Sequence, residues 1–344
     1  MEKRVVKFDV LRVTACFAVV LLHVSASYWS VVDAWSKDFL IITVYNSLTR
    51  FAVPVFFMLS GLFLAASDKK GMAVGKRVLK LIMVFYIWSA FFALQQMNVN
   101  ALIGGYLKEI LVATVKKFIC GYYHMWFLPI LCGFYLMIPI TRQLCIKGAT
   151  VRYYLILWAV FQFILPCLTD IFHLTLLQDR IDSLGMNIIT GYFGYFLLGH
   201  YLGVTEIKKE VRKVIYIMGI AAVLCTIFLT VRDCRAQNTY VEKWFSPSSL
   251  NSLILSVAIL VFFQYGKWFE QVKHKFLWKK LSDYTFFIYM FHVFILEKWV
   301  GVITVEYSFI VFIPIMTIFT FAVSLLGAFI ADHIPLIRKV VMFH

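Results

Sequence analysis

Asp9, Arg12 and His23 lie in the run FDVLRVTACFAVVLLHVSASYW, residues 8–29, which otherwise has the composition of a membrane span. An ionised side chain in hydrocarbon costs at least ~2.5 kcal/mol, so each is a candidate for function. The 11 residues from Arg12 to His23 make about three helical turns, which places both on one face. Asp9 stands one turn before Arg12 and can neutralise it. His23 lies ~22 Å along the helix from Phe8, and an imidazole there could act as general base on a hydroxyl. The simpler reading is a histidine hydrogen-bonded between packed helices. The stripe shared with Arg12 favours chemistry.

Other residues carry weaker signals. Arg50, in YNSLTRFAVPVFFMLSGLFL, reaches mid-depth of a second span and needs a partner or a wet cavity. It is either one half of an ion pair, with Asp9 or Glu297, or a group that binds an anion or a carbonyl. Lys76, Arg77 and Lys80 open the third span. They read as a topology anchor or as a clamp for the phosphates of a nucleotide-like donor. His292 lies near mid-depth of LSDYTFFIYMFHVFILEKW, with Glu297 five residues on. His124 and Trp126, in YYHMWFLPIL, belong to an interfacial stretch where His124 could line a cavity mouth and Trp126 suits an aromatic belt. No pair of His or carboxylates at i, i+4 forms a ligand set, and there is no P-loop or G-x-S-x-G elbow. No metal is expected.

The elements that must position these residues are membrane helices. Of 344 residues, 62% are hydrophobic and 15% charged, where a soluble domain has about 25% charged. Apolar runs of span length recur from end to end, so we expect an all-α polytopic membrane protein forming one domain over residues 1–344. Ten transmembrane helices are expected, near 8–31, 39–66, 77–97, 124–142, 151–170, 187–204, 213–231, 247–266, 283–300 and 307–331. With the N-terminus inside, 22 Lys and Arg flank the spans on the cytoplasmic side and nine on the outer side. Both termini are therefore expected in the cytoplasm. The net charge of +15 is explained by topology and anionic lipid, not by nucleic acid. Residues 98–123 carry Lys108, Glu109, Lys116 and Lys117 and read as an interfacial or re-entrant helix. The loop 170–186 brings Asp170, Asp179 and Asp182 to the outer side. The seven cysteines form no CxxC, and a Cys120–Cys234 disulfide is open. No cleaved signal peptide is evident.

The chain resembles the acyltransferase-3 family of integral-membrane acyltransferases. That family opens on F-D-x-L-R with a histidine ten intervening residues after the Arg, matched by Phe8, Asp9, Leu11, Arg12 and His23. Val53, Pro54, Phe56, Phe57, Ser60, Gly61 and Leu62 fit its second-span signature. The basic cluster resembles Lys76-Arg77-xx-Lys80, although the family often has Arg where this chain has Lys80. His124-x-Trp126-Phe127-Leu128, Tyr195-Phe196-xx-Gly199 and Thr285-Phe286-x-Ile288-Tyr289-xx-His292 follow in the family's order. Arg50 and its surroundings are similar to the branch that acetylates surface glycans.

The resemblance implies transfer of an acyl group, usually acetyl, from cytoplasmic acyl-CoA to a hydroxyl of a cell-envelope glycan. Acetyl-CoA would be a substrate, with no resident cofactor. It implies His23, Arg12 and Asp9 as the catalytic group, with His23 as base or acyl carrier and Arg12 orienting CoA or polarising the site, and Lys76, Arg77 and Lys80 on the donor's phosphates. Arg50, His124, Trp126, His292 and Glu297 would serve substrate binding. The expected partners are acyl-CoA, an envelope polysaccharide or lipid-linked glycan, membrane lipid and a separate extracytoplasmic transferase. The expected place is the plasma membrane of a bacterium. Some relatives carry an added soluble hydrolase-like domain; this chain, ending after its last span, is expected to work alone or with that separate partner. The competing reading is a transporter or flippase for a glycan or small solute, against which the absence of an internal repeat and of paired broken spans counts.

Overall fold

The computed structural model describes residues 5–66, 71–97, 107–172, 189–300 and 308–341. The acidic positions Asp179 and Asp182, and residues 98–106 of the interfacial stretch, lie outside them. The described residues are helical and form no strand. Eight helical stretches are long and apolar enough to cross a membrane. The other two expected spans correspond to a 26-residue helix over Lys275–Val300 and to a 12-residue helix over Phe193–Val204.

The helix α1 (Val6–Trp29) runs through the packed interior. It lies beside Lys275–Val300, and the contacts ascend together along both chains. Arg12 meets Ser282, Cys16 meets the carbonyl of Thr285, and His23 meets His292. The two helices are therefore parallel, as expected of spans that enter the membrane from the same side.

The second span is not continuous. It divides into α2 (Lys37–Leu48) and α3 (Ala52–Leu64), with a turn at residues 49–51 that holds Arg50. Pro54 has no N–H for the carbonyl of residue 50, and its ring crowds that carbonyl. The Thr49 hydroxyl then donates to the Asn46 carbonyl at 2.7 Å, closing α2. Irregular backbone at membrane depth is tolerated where it is buried in protein or lines a cavity. The continuous span expected over 39–66 is corrected accordingly.

The helix α3 crosses Phe193–Val204 with almost no gap. A Cβ on Gly61 would stand 1.6 Å from the carbonyl oxygen of Phe196, and one on Gly199 would stand 1.9 Å from that of Met58. Without hydrophobic drive between helices in lipid, such close backbone contact is how spans associate. The stretch read as interfacial forms a helix over Leu107–Cys120 whose Leu111, Val112, Val115 and Ile119 are exposed, as a membrane-facing surface requires. All seven cysteines are free, so Cys120 and Cys234 are not joined.

Candidate active site

Two cavities lie along α1, one at each end of its polar stripe. The first, of about 300 Å³, is lined by Arg12, Ser60, Tyr135, Ser282, Asp283 and Tyr289 among others. Arg12 donates from Nη1 to the Ser282 hydroxyl at 3.2 Å. The Arg77 guanidinium stands 5.9 Å from the centroid of the Tyr135 ring, so it reaches the edge of this cavity from its own helix (Gly71–Gln95). Of the other predicted donor ligands, Lys80 is half-buried and Lys76 is exposed. Asp9 is buried at the start of α1.

The second cavity, of about 730 Å³, is lined by His23, Ser27, Asn46, Arg50, Tyr123 and the loop residues Glu242 to Pro247 other than Trp244. Around His23 stand two more histidines that the sequence separates by more than 160 residues. The His23 and His292 ring centroids are 5.0 Å apart, and those of His292 and His124 are 5.7 Å apart. The Tyr123 ring stacks on His23 at 5.9 Å. Tyr123 and His124 arrive on a short 3-10 turn, Tyr123–Trp126, which the chain enters through Gly121 at a φ of 75° that favours glycine.

The hydrogen bonds fix the protonation pattern of two rings. His292 Nδ1 is 3.1 Å from the carbonyl of Ile288, and His124 Nε2 is 3.2 Å from that of Met290. A carbonyl only accepts, so each of those nitrogens carries the proton in the neutral ring and the other nitrogen keeps its lone pair. Among the described residues, His292 Nε2 and His124 Nδ1 have no hydrogen-bond partner, and neither ring nitrogen of His23 has one. Asn46 Oδ1 and Arg50 Nε are orphaned in the same way beside the same cavity. A buried polar atom left unpaired costs ~1–3 kcal/mol, so six of them in one neighbourhood mark a site that water or a ligand completes.

Arg50 does not pair with Asp9 or Glu297 as one reading expected. Its Nη1 donates to the carbonyl of Phe245 at 3.0 Å, and its guanidinium lies 4.1 Å from the centroid of that ring. Glu297 instead accepts from the Tyr122 hydroxyl, which takes a bond from Gln96 Nε2 at 2.5 Å. It thereby braces the turn carrying Tyr123 and His124. Trp126 lines neither cavity; it packs against Phe57 and Tyr192 and is 38% exposed. Tyr289 and Phe127 line the Arg12 cavity, while the Tyr289 hydroxyl donates to the His124 carbonyl. These two rings, with centroids 5.7 Å apart, stand between the Arg12 cavity and the histidines.

Sequence reasoning missed Asn46, Tyr123, Phe245, Ser282, Tyr135 and Tyr289. Asn46 had a signal, being one helical turn before Arg50 in an apolar span. Tyr135 and Phe245 had none, since nothing local marks an aromatic ring that will lie against an arginine from another helix.

No group of three or more His, Cys, Asp or Glu among the described residues is arranged to hold a metal ion. Comparison with curated proteins and with solved structures finds no match. The model of one protein family, described as an acyltransferase domain, matches residues 5–329. A multi-pass helical protein with this match over nearly its whole length belongs to the acyltransferase-3 family of membrane acyltransferases.

Proposed function

We propose that this protein moves an acetyl group from acyl-CoA to a hydroxyl of a cell-envelope glycan, in the plasma membrane of a bacterium. The observation that carries the reading is the set of unpaired buried atoms, both ring nitrogens of His23 with Asn46 Oδ1 and Arg50 Nε, on one cavity beside a second that holds Arg12 and that Arg77 reaches. A base, a cation and a neutral acceptor around one space suit acyl transfer to an alcohol.

The donor enters from the Arg12 end, for whose cytoplasmic placement the distribution of basic residues is the support. Arg77 and Lys80 meet its phosphates, and Arg12 holds the arm that leads inward. From Arg12 to His23 the helix rises ~16 Å. The thioester passes the Tyr289 and Phe127 rings to reach the histidines. A turn of the His23 ring about Cβ–Cγ presents one nitrogen to the cavity. That nitrogen takes the proton of the acceptor hydroxyl as its oxygen attacks the thioester carbonyl. The other nitrogen donates to the lone pair of His292, which stabilises the imidazolium. Arg50 faces the oxyanion of the tetrahedral intermediate. When the C–S bond breaks, the proton on His23 passes to the leaving thiolate, giving the ester and free CoA.

Asn46 orients the acceptor hydroxyl, and Glu297 with Tyr122 holds the turn that carries Tyr123 and His124. His124, with its free lone pair, serves as a second acceptor in the histidine array. Asp9 offsets the charge of Arg12. Trp126 contributes packing at the membrane boundary. The acceptor is a polysaccharide or lipid-linked glycan that approaches at the His23 end, either directly or through a separate extracytoplasmic transferase.

The test is acyl transfer from labelled acetyl-CoA in membranes, together with mass spectrometry of surface glycans from wild-type and deletion strains. The reading expects label on glycan and a lost acetyl increment in the deletion strain. Glycans of unchanged mass, with transport of a glycan or solute abolished instead, would favour the transporter.

A further inference from the structure

The His23 cavity shares a wall with a larger one. The second hollow, of about 870 Å³, is lined by Gln162, Phe163, Asp170, Asp233, Gln237 and Trp244 among others, and both cavities include Lys243 and Ser246. The wall is the loop that follows the helix Lys209–Gln237. In its 3-10 turn, Lys243–Phe245, Phe245 lies under Arg50 on one side while Trp244 faces the other hollow. The two spaces therefore meet across one turn of chain.

The second hollow is a constructed site. The Trp244 indole donates from Nε1 to Asp233 at 2.7 Å, and the Trp244 carbonyl takes a 2.7 Å bond from the buried Asn251, itself bonded to Thr226. On the opposite wall the helix widens into a π-helical turn over Val160–Ile164, a distortion frequent at functional sites. The turn carries Gln162 and Phe163 to the cavity surface. It is pinned by Gln162, which accepts from the Gly191 N–H at 2.6 Å, and by Trp158, which donates to the Gly191 carbonyl at 2.9 Å. Gly191 has a φ of 96°, open to glycine and costly for other residues.

The charges identify the kind of ligand. Asp170 pairs with Lys243 at 2.6 Å and Asp233 with Arg232 at 2.7 Å, so two carboxylates and two cations balance within the hollow. Paired carboxylates, amides, serine hydroxyls and an indole suit hydroxyl-rich, uncharged matter and do not select an anion. Each hollow alone matches the ~300–1,000 Å³ of a small-molecule pocket, and the pair is more than one sugar ring occupies. We propose that the acceptor is a neutral chain of several sugar residues. Its reacting residue sits beside His23, and the neighbouring residues lie across Lys243 into the hollow floored by Trp244. This rests on the glycan acceptor argued above and adds length and charge to it.

The experiment uses the full-length protein and the envelope glycan of a deletion strain of the source organism. The glycan is separated into long chains and mono- or disaccharide fragments by mild acid and sizing. Binding without donor is measured by isothermal titration, and transfer by label from acetyl-CoA, for wild type, Trp244→Ala and Gln237→Ala. Wild type is expected to bind and acylate long chains at least tenfold better than fragments. Trp244→Ala should lose that preference, its transfer to long chains falling at least tenfold more than its transfer to fragments, and Gln237→Ala should lose part of it. Equal use of both lengths by wild type overturns the inference while leaving glycan acylation standing. An equal fall for both lengths in both variants overturns it too, as a structural effect. Length-dependent binding that Trp244→Ala abolishes, with no transfer to any fraction, supports the groove and refutes the acylation reading. Absence of length-dependent binding overturns the groove whether or not transfer occurs.

Discussion

Asp332 and His23 are both titratable groups enclosed among apolar helices, yet their surroundings differ in kind. The Asp332 carboxylate takes bonds from Lys280 at 2.6 Å and Tyr284 at 2.9 Å, with Arg338 Nε at 3.3 Å. Asp332 lies at the end of the helix Phe309–His333. Its partner Lys280 stands two residues before Ser282, whose hydroxyl takes a bond from Arg12, so the two pairs lie at the same end of the bundle. At the other end of α1, both nitrogens of His23 and one each of His292 and His124 have no partner among the described residues. Burying polar groups is tolerable when they are paired with one another, and that alone makes structure. Leaving several unpaired in one place weakens the fold unless water or a ligand supplies the missing bonds. On the proposed function, the contrast puts the chemistry at the His23 end and binding and architecture at the Arg12 end.

Breaking the unpaired end should have the largest effect. His23→Ala should lower acyl transfer by about 10²–10⁴-fold, the range for loss of a general base, while expression and insertion stay near wild type. Labelled transfer in membranes, normalised to protein content, measures it. His292→Asn should cost less, about tenfold, because it removes only the lone pair that receives the second proton of His23. The 5.0 Å separation of the His23 and His292 rings means that a change at either is felt at the other. Breaking the paired end should be felt mainly in stability. Lys280 is 41% exposed, so Asp332→Asn should cost only about 0.2–1 kcal/mol in thermal unfolding, with transfer unchanged. A large loss of transfer in Asp332→Asn without a stability change would erase the contrast between the ends.

Much of this was legible in the sequence, and the remainder was hidden for identifiable reasons. Helical periodicity put Arg12 and His23 on one face, because spacing along a single helix is a local property. Composition gave the helical membrane class, because lipid leaves helices few alternatives. The divided second span was written in Pro54, four residues after Arg50, yet a hydropathy window averages such a break away. The meeting of His23, His124 and His292 was not legible, because nothing in one chain reports which helices become neighbours. The crossing of Gly61 against Phe196 that helps set the helix arrangement depends on a backbone contact of the same long-range kind. Arg50 was found by its burial cost, whereas its real partner, the carbonyl and ring of Phe245, lies 195 residues away.

The most direct test is to measure kcat and the KM for acetyl-CoA side by side in Arg50→Gln and Arg77→Glu. Loss of an oxyanion donor should lower kcat about 10²–10³-fold in Arg50→Gln and leave the donor KM within twofold of wild type. Charge reversal in Arg77→Glu should raise the donor KM about tenfold or more, the worth of a charge-assisted phosphate contact, with kcat little changed. The opposite split, or equal losses of both constants in both variants, would contradict the division of labour between the two ends of α1.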